Sequence, residues 1–273
     1  IQIKKLKKHC VIVGLNKGSF ELACSMVKHG IKTAVVDSNE NSEYLGLLNK
    51  QKIYFVAANP SDPVVLEKIN TKQASYLFAS TDSDATNLEV LHNAACQKRV
   101  SIINTVCKIN NQSLVRALYN RPLFSVNRPN FNTKIINSCR VTARWLLNEF
   151  GPDCLISDIA TRSCVNIAIV GDTPLIDSLA QRLVEIGIYG ANTTLQITVL
   201  AIKKIADEDN ELNTLLLNEK KLEYLNIKKV YLKEPSIEEF NEHLRASHLH
   251  CSYISMQESD DALMALQSFL DMP

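Results

Sequence analysis

The sequence lacks the features that mark several common classes of protein. No apolar run approaches the ~20 residues that cross a bilayer, and no signal peptide is present. The formal net charge is only +1, so the basic excess typical of proteins that bind nucleic acid is missing. We therefore expect a soluble, cytoplasmic piece of protein with no nucleic-acid partner.

Paired cysteines and catalytic motifs are also missing. The eight cysteines form no C-x-x-C pair, which favours reduced thiols in a cytosolic protein. His248, His250 and Cys251 form the tightest group of metal-ligand types, but no second group follows at a recognisable spacing, so we predict no metal site. Because neither G-x-S-x-G nor a Ser-His-Asp grouping occurs, we predict no catalytic residues and no enzymatic activity.

Short β-branched runs alternate with helical patterns in the first half of the chain. The predicted strands are His9–Gly14, Lys32–Asp37, Lys52–Ala57, Ser75–Ala79, Val100–Thr105 and Leu123–Val126. The predicted helices are Ser19–His29, Glu40–Lys50, Asp62–Ile69, Asp84–Gln97 and Asn110–Tyr119. Alternation at these lengths predicts βαβ units and a parallel sheet covered on both faces. The predicted fold class is α/β and Rossmann-like.

The strand–helix pattern begins again in the second half, at residues 165–187, and predicted strands follow at 194–202, 227–232 and 251–256. A repeat of this length predicts two tandem Rossmann-like domains. We expect domains at 1–127 and 165–273, joined by a linker region at 128–164 with a helix over Asn132–Phe150. The second copy ends one helix after its fourth strand, so we expect a fragment, or a sheet completed by another chain.

The turn after the first predicted strand carries a partial dinucleotide-binding pattern. Such turns place glycines at three fixed positions, which here are occupied by Gly14, Asn16 and Ser19. Ser19 is a candidate helix N-cap, and Lys17 places a cation near any phosphate. A helix N-terminus attracts anions whatever the loop sequence. By itself this motif is a weak indication of nucleotide binding.

Two further segments strengthen the prediction. Asp37 closes the second strand, where an acidic side chain accepts hydrogen bonds from ribose hydroxyls; its alternative role is to cap the following turn. No arginine follows to hold a 2′-phosphate, which favours NAD, ADP or ATP over NADP. The segment Ser80–Asn87 follows the fourth strand, and helix capping explains its aspartates but not Asn87. The second copy keeps Gly171 but has Thr173 and Ile176 at the later glycine positions.

Together these motifs resemble the regulator-of-potassium-conductance family, also called the Trk-type N-terminal NAD-binding domain. The resemblance covers residues 9–119 and rests on "HCVIVGLNKGSFELA", "TAVVDSNEN" and above all "ASTDSDATNLEV", which is similar to the family's A-x-D-D-x-x-N-L. The chain departs from the family at the glycine-rich loop and at "AANPSDPVVL". The resemblance implies ligand contacts at Gly14, Asn16, Lys17, Asp37, Asn59, Ser80, Thr81 and Asn87.

The resemblance also implies a function. Family members are non-enzymatic cytosolic gating domains of potassium channels and uptake systems, and they respond to NAD(H), ADP/ATP or other ligands. It implies a pore-forming membrane domain in the same or another chain, a homodimer or higher ring, and a location at the cytosolic face of the membrane. Two alternatives stay open: a Rossmann scaffold that has lost its ligand and serves oligomerisation, and an NAD-dependent oxidoreductase.

Overall fold

The computed structural model describes residues 3–99, 101–119, 130–187, 189–190, 192–202, 224–232, 236–244, 248–258, 261–263 and 265–266. The chain divides into two compact units, Ile1–Ser138 and Cys139–Pro273. Among the described residues, no helix is both long and apolar enough to cross a membrane.

The first unit contains a six-stranded, wholly parallel sheet. Its strands are β1 (Cys10–Val13), β2 (Thr33–Asp37), β3 (Tyr54–Ala57), β4 (Tyr76–Ala79), β5 (Ile103–Lys108) and β6 (Phe131–Ile136). Their order across the sheet is β3-β2-β1-β4-β5-β6. The sheet reverses its winding between β1 and β4, and a Rossmann-like fold binds ligands at the carboxyl ends of the strands there. The predicted α/β class is confirmed.

Within the described residues of the first unit, five α-helices cover the sheet. They are α1 (Lys17–Lys28), α2 (Leu45–Lys50), α3 (Pro63–Lys68), α4 (Asp84–Cys96) and α5 (Gln112–Tyr119). Every residue of β1 is fully buried, because helices pack on both faces of the sheet. Val11 and Val13 join the core formed with α3 and α4, while Cys10 and Ile12 join the core formed with α1. This alternation explains the continuous apolar run of the strand.

The end of the first unit differs from the prediction. The segment Phe131–Ile136, predicted as the start of a helix, is strand β6 and pairs in parallel with β5. Thr105 Oγ1 lies 3.0 Å from Thr133 Oγ1 and 3.1 Å from Asn132 O, and β-branched side chains such as these pack well on a sheet. The predicted strand Leu123–Val126 lies outside the described residues. Because β6 belongs to the first sheet, the first compact unit extends beyond residue 127, to Ser138.

The second unit repeats the first at smaller scale. Its strands are β7 (Cys164–Gly171), β8 (Thr194–Ile202), β9 (Leu225–Leu232) and β10 (Cys251–Ser255). All pairings are parallel and the order is β10-β7-β8-β9, which matches β4-β1-β2-β3 of the first sheet. Its helices are α6 (Ser138–Glu149), α7 (Pro152–Leu155), α8 (Leu175–Ile186) and α9 (Ile237–Leu244). The predicted internal repeat is present in the strand order.

Helix α6, expected as part of a linker, packs into the second unit. Ala143 and Leu147 are buried in its core, and Leu146 packs against that core. Val141 and Trp145 lie on the opposite face and are each 57% exposed. The segment predicted as a linker at 128–164 is therefore divided between the two units and contains β6, α6 and α7.

The second unit contains a buried ion pair. We predict that removing one partner destabilises the unit more than replacing both partners by apolar residues. Lys229 Nζ lies 2.9 Å from Asp177 Oδ1, with side chains only 4% and 16% exposed. Asp177→Ala leaves an uncompensated buried ammonium and should destabilise the unit by about 3–5 kcal/mol, whereas an apolar pair should recover most of that loss. Denaturant unfolding of Asp177→Ala and of Asp177→Leu/Lys229→Met, followed by Trp145 fluorescence and circular dichroism, measures both.

The exposed pair between Arg182 and Glu185, 2.9 Å apart, provides the control for that experiment. Glu185→Ala should cost less than about 1 kcal/mol because water screens the pair. A double variant as unstable as Asp177→Ala would contradict the explanation.

A buried histidine makes the first unit sensitive to acid. His9 is completely buried, its Nε2 lies 3.0 Å from Ile69 O, and its Nδ1 has no partner among the described residues. Burial lowers its pKa; the hydrogen bond to Ile69 opposes this shift and the positive charge of Arg99 adds to it. In the unfolded chain the His9 imidazole becomes protonated near pH ~6.5, whereas in the folded protein it stays neutral at that pH. The folded state therefore loses stability as the pH falls below that value.

We therefore expect His9→Gln to flatten the decline in unfolding free energy of the first unit between about pH 7 and about pH 5. The exposed His29 supplies the control variant His29→Gln, which should retain the decline of the parent protein. Chemical denaturation at each pH checks both, and an equally steep decline in His9→Gln would rule out His9 as its source.

Candidate functional site

The turn after β1 depends on the absence of a side chain at Gly14. Gly14 has a φ of +92°, and a Cβ there would lie 2.9 Å from Thr81 N and 3.0 Å from Ser80 C and O. Its own amide donates to Val36 O at 2.9 Å. A left-handed φ and this close contact both require glycine. The loop after β1 therefore lies directly against the loop after β4.

Asn16 is the N-cap of α1, which corrects the prediction that Ser19 has that role. Asn16 has extended backbone, with a φ of −132°, so it does not use the left-handed conformation that asparagine tolerates. Its Oδ1 accepts from Ser19 N at 3.0 Å, and Ser19 Oγ accepts from Asn16 N at 2.8 Å. This reciprocal pair is a capping box. Asn16 Nδ2 also donates to Ser80 O at 3.2 Å, joining the two loops.

The capping box leaves part of the helix N-terminus available. The first amides of a helix have no intrahelical acceptor, and those of Lys17 and Gly18 have no partner within the described part of the chain. Both residues are exposed. Two amides with the positive end of the helix dipole, next to the Lys17 ammonium, form an environment that favours an anion.

Asp37 accepts hydrogen bonds from the backbone amides of two loops. Its Oδ2 accepts from Leu15 N at 2.6 Å, and its Oδ1 accepts from Asn39 N at 2.7 Å. The carboxylate thus caps the turn after β2 and also holds the loop after β1. A carboxylate has about four acceptor positions, so each oxygen retains capacity for one more donor. Asp37 is half-buried and lines a cleft.

Asn87 positions the loop after β4 and does not face the cleft. It is fully buried; its Oδ1 accepts from Thr81 N at 2.9 Å and Thr81 Oγ1 at 2.8 Å. Its Nδ2 donates to Thr81 O and to Lys108 O, each at 3.0 Å. All four hydrogen-bonding positions of the amide are filled. In this structure Asn87 therefore positions the loop after β4.

Asp84 and Lys108 were missed as site-building residues. Asp84, in the first turn of α4, accepts from Asn110 N at 3.0 Å and from Asn111 N at 2.8 Å, and so fixes the loop after β5. Lys108 Nζ lies 3.1 Å from Asp82 Oδ1. Asp84 was explained as a helix-dipole partner, and no local pattern shows that it reaches a loop 26 residues away.

These loops enclose a cleft of about 530 Å³ at the carboxyl edge of the first sheet. Five of the eight predicted contacts line it: Gly14, Asn16, Asp37, Asn59 and Thr81. The cleft is also lined by Leu15, Ser38, Pro60, Asp82, Ser83 and Thr86. Ser80 contributes its carbonyl to the loop contact, and Lys17 stands exposed at the first turn of α1.

Asn59 is exposed, and its Oδ1 is used locally. It accepts from Ser61 N at 3.1 Å and from Ser61 Oγ at 3.0 Å, forming a turn that leads into α3. Asn59 Nδ2 makes no hydrogen bond within the described residues, and Asn59 lines the cleft.

The corresponding turn of the second unit lies in close contact with the end of β10. A Cβ on Gly171 would collide with Ser255 O, and Thr173 Oγ1 lies 2.6 Å from Ser255 Oγ.

His250 Nδ1 accepts from Asn166 N at 3.0 Å and His248 O accepts from Asn166 Nδ2 at 3.0 Å, so this histidine pair joins β7 to the segment before β10. No group of three metal-ligating side chains occurs within the described residues.

A glycine turn at the switch point of a parallel sheet, followed by an open helix N-terminus and an acidic residue at the end of β2, defines a dinucleotide-type Rossmann domain. Residues 10–126 match the model of the TrkA-N domain family. The resemblance of the first unit to this family, inferred from its motifs, is therefore confirmed. A search of curated proteins finds no match.

Solved structures of GsuK resemble the chain across both units. A mutant of GsuK covers 98% of this chain and 65% of its own, with 14% identity and a TM-score of 0.51. GsuK bound to ADP covers 98% and 70%, with 14% identity and a TM-score of 0.48. The GsuK channel bound to NAD covers 96% and 63%, with 13% identity and a TM-score of 0.47. At such identities the likeness shows the fold alone, and the chain spans 65% of the GsuK mutant chain.

We predict that the hydrogen bonds of Asn87 stabilise the first unit. Asn87→Ala leaves the buried Thr81 amide and Lys108 carbonyl without their partner, and it should destabilise the first unit by about 2–4 kcal/mol. The matched control is Asn132→Ala, since Asn132 is exposed and donates only to Asn104 Oδ1 at 3.0 Å; this change should stay within about 0.5 kcal/mol. Chemical denaturation measures both, and equal losses would contradict the role of Asn87.

Proposed function

We propose that the chain is the ligand-sensing regulatory part of a potassium channel or potassium-uptake system, and that the first unit binds NAD(H) or an adenine nucleotide in its cleft. The observation that carries the proposal is the contact of Gly14 with Thr81 beside the open amides of Lys17 and Gly18. This arrangement leaves a glycine-shaped surface next to an anion-favouring helix terminus. The second unit, which has Thr173 and Ile176 at the later glycine positions, serves a structural role.

The phosphates would lie at the start of α1. The capping box keeps the Ser19 and Asn16 amides inside the chain, so the ligand has the Lys17 and Gly18 amides and the Lys17 ammonium. Two amides and one cation suit a diphosphate better than a triphosphate. Two carboxylates, Asp37 and Asp82, line the same cleft and oppose further negative charge. NAD(H) and ADP are therefore better candidates than ATP.

The ribose would lie at the end of β2. The free acceptor positions of Asp37 face the cleft, and exposed Ser38 is the next residue. A 2′-phosphate would meet the Asp37 carboxylate, and no arginine is present among the cleft residues. This favours a ribose with both hydroxyls free. ADP and NAD, the ligands named with the GsuK structures, are the first to test.

Regulation would follow from a difference in ligand affinity between two arrangements of the assembled protein. A ligand shifts an equilibrium only by as much as its affinity differs between the two states. The pore-forming partner, in the same or another chain, and a homodimeric or higher ring at the cytosolic membrane face are parts of this proposal. No enzymatic step is proposed.

A second candidate function, a scaffold without ligand, is favoured by specific observations. Asn16, Asp37 and Asn59 each make hydrogen bonds within the chain that stabilise their own loops. All three positions are therefore explained without a ligand, and a scaffold would serve oligomerisation alone. The two functions differ in whether nucleotide changes the stability of the first unit.

Thermal unfolding of the full chain with NAD, NADH, ADP, ATP and a cyclic dinucleotide separates the two functions. A ligand at ~100 times its dissociation constant stabilises the binding unit by about 2.7 kcal/mol, which raises the unfolding temperature by several degrees. Only the transition of the first unit should move, so the second unit acts as an internal control. No shift with any ligand would favour the scaffold.

Lys17→Glu tests the site with little cost to the fold. Lys17 is exposed at the first position of α1, where an acidic side chain suits the helix dipole, but the new charge repels a phosphate. We expect the ligand-induced shift to disappear in Lys17→Glu and in Asp37→Ala, while Lys134→Glu, on exposed Lys134 of β6, should retain it. A shift that survives Lys17→Glu would place the ligand elsewhere.

A further inference from the structure

The amino edge of the first sheet, opposite the cleft, carries a dense and uncompensated positive charge. Because all strands are parallel, the segments that enter β1 to β5 meet at this edge. They supply exposed Lys8, Lys32, Lys52, Lys72 and Lys98, together with half-buried Arg99. The entering segments 3–9, 29–32, 51–53, 69–75 and 97–102 contain no aspartate or glutamate. This set of segments is called the basic edge below.

The charges of the basic edge have no counter-ions in the described part of the chain. The ion pairs recorded there involve Lys108, Arg140, Arg182 and Lys229. The near-neutral net charge of the whole chain therefore conceals an uneven distribution, since the carboxyl edge carries Asp37, Asp62, Asp82 and Asp84. Clustered charge of one sign creates a potential that attracts an oppositely charged surface.

Internal hydrogen bonds hold the basic edge together. Lys8 N donates to Gln73 O at 2.8 Å and Cys10 N donates to Lys32 O at 2.9 Å. Arg99 Nη2 donates to Ala74 O at 2.8 Å. These bonds fix four of the entering segments to their neighbours, so the ammonium groups extend from a shared, ordered base.

Lysine occupies two positions of this edge where glycine would be less strained. Lys8 has a φ of +50° and Lys52 a φ of +57°, a left-handed conformation that side chains with a Cβ rarely adopt. Packing does not explain these residues, because both side chains are exposed. The charge of the side chain explains why lysine is present there.

We propose that the basic edge docks on an anionic membrane surface. Lysine predominates over arginine, and the entering segments contain no Phe, Tyr or Trp, whereas surfaces that bind nucleic acid usually combine arginine with stacking aromatics. Clustered lysines near a bilayer gain attraction from acidic headgroups within a Debye length. The segment 3–9 enters β1 at this edge and adds exposed Lys4, Lys5 and Lys7. The proposal is independent of nucleotide binding in the cleft.

Vesicle sedimentation of the full chain tests this docking. The protein should sediment with vesicles of phosphatidylcholine mixed with phosphatidylserine and not with phosphatidylcholine alone. Raising the salt from ~0.1 M to ~1 M shortens the Debye length from about 10 Å to about 3 Å and should release the protein. Equal binding to both vesicle types, or no binding to either, would overturn the proposal.

Matched variants locate the surface. The triple variant Lys32→Gln/Lys72→Gln/Lys98→Gln removes three positive charges. Each charge contributes about a fivefold increase in partitioning onto the vesicles, so binding should weaken by about a hundredfold. The control Lys134→Gln/Arg144→Gln/Lys228→Gln removes the same charge from exposed positions elsewhere and should bind like the parent. Equal losses in the two triple variants would overturn the proposal.

A second variant tests the basic edge with substitutions that should leave the fold intact. Lys8→Gly/Lys52→Gly places glycine at two left-handed positions, so the first unit should unfold at an almost unchanged temperature while vesicle binding falls by about twenty-fivefold. Unchanged vesicle binding would overturn the proposal. So would binding to a double-stranded DNA oligomer, in place of vesicles, that the edge variants abolish, since the surface would then belong to nucleic acid.

Discussion

The contact between Gly14 and the Ser80–Thr81 peptide is the constraint on which the rest of the first unit depends. A Cβ at Gly14 would lie 2.9 Å from Thr81 N, so the two loops meet only because that side chain is absent. The contact is held from both sides, by Asn16 Nδ2 on Ser80 O and by Asn87 on the Thr81 peptide. With the loops joined, the N-cap of α1, Asn16, lines the cleft together with Asp37. Preorganised backbone, and not a single strong side chain, thus forms the candidate site.

Much of this could be predicted from periodicity, because β1 to β4 are short buried runs separated by amphipathic helices. The strand β6 could not, since its sequence suits a helix almost as well and only pairing with β5 decides between them. The capping box was present in the sequence as Asn16 and Ser19, three residues apart. Because both residues occupy glycine positions of the dinucleotide pattern, they were interpreted as replacements for glycine and not as a capping pair. The role of Asn87 depends on its hydrogen bond to Lys108 O, 21 residues further along the chain. No local sequence pattern predicts such a contact.

The two edges of the first sheet differ in chemistry. The carboxyl edge combines open helix amides with carboxylates and suits a ligand with few charges and free ribose hydroxyls. The amino edge carries lysines without acidic neighbours and suits an extended anionic surface. The second unit repeats the strand order, yet its Gly171 turn is filled by Ser255. The strand order is therefore shared by both copies, and the described cleft belongs to the first.

The most direct test of the central claim is amide chemical-shift mapping by nuclear magnetic resonance during titration with ADP and then NAD. It reports on the backbone groups that the account assigns to the ligand. The account predicts the largest changes at Lys17 and Gly18, with a second group at Ser38 and Thr81, and little change in the second unit. Shifts confined to the second unit, or absent with both ligands, would contradict nucleotide sensing by this cleft.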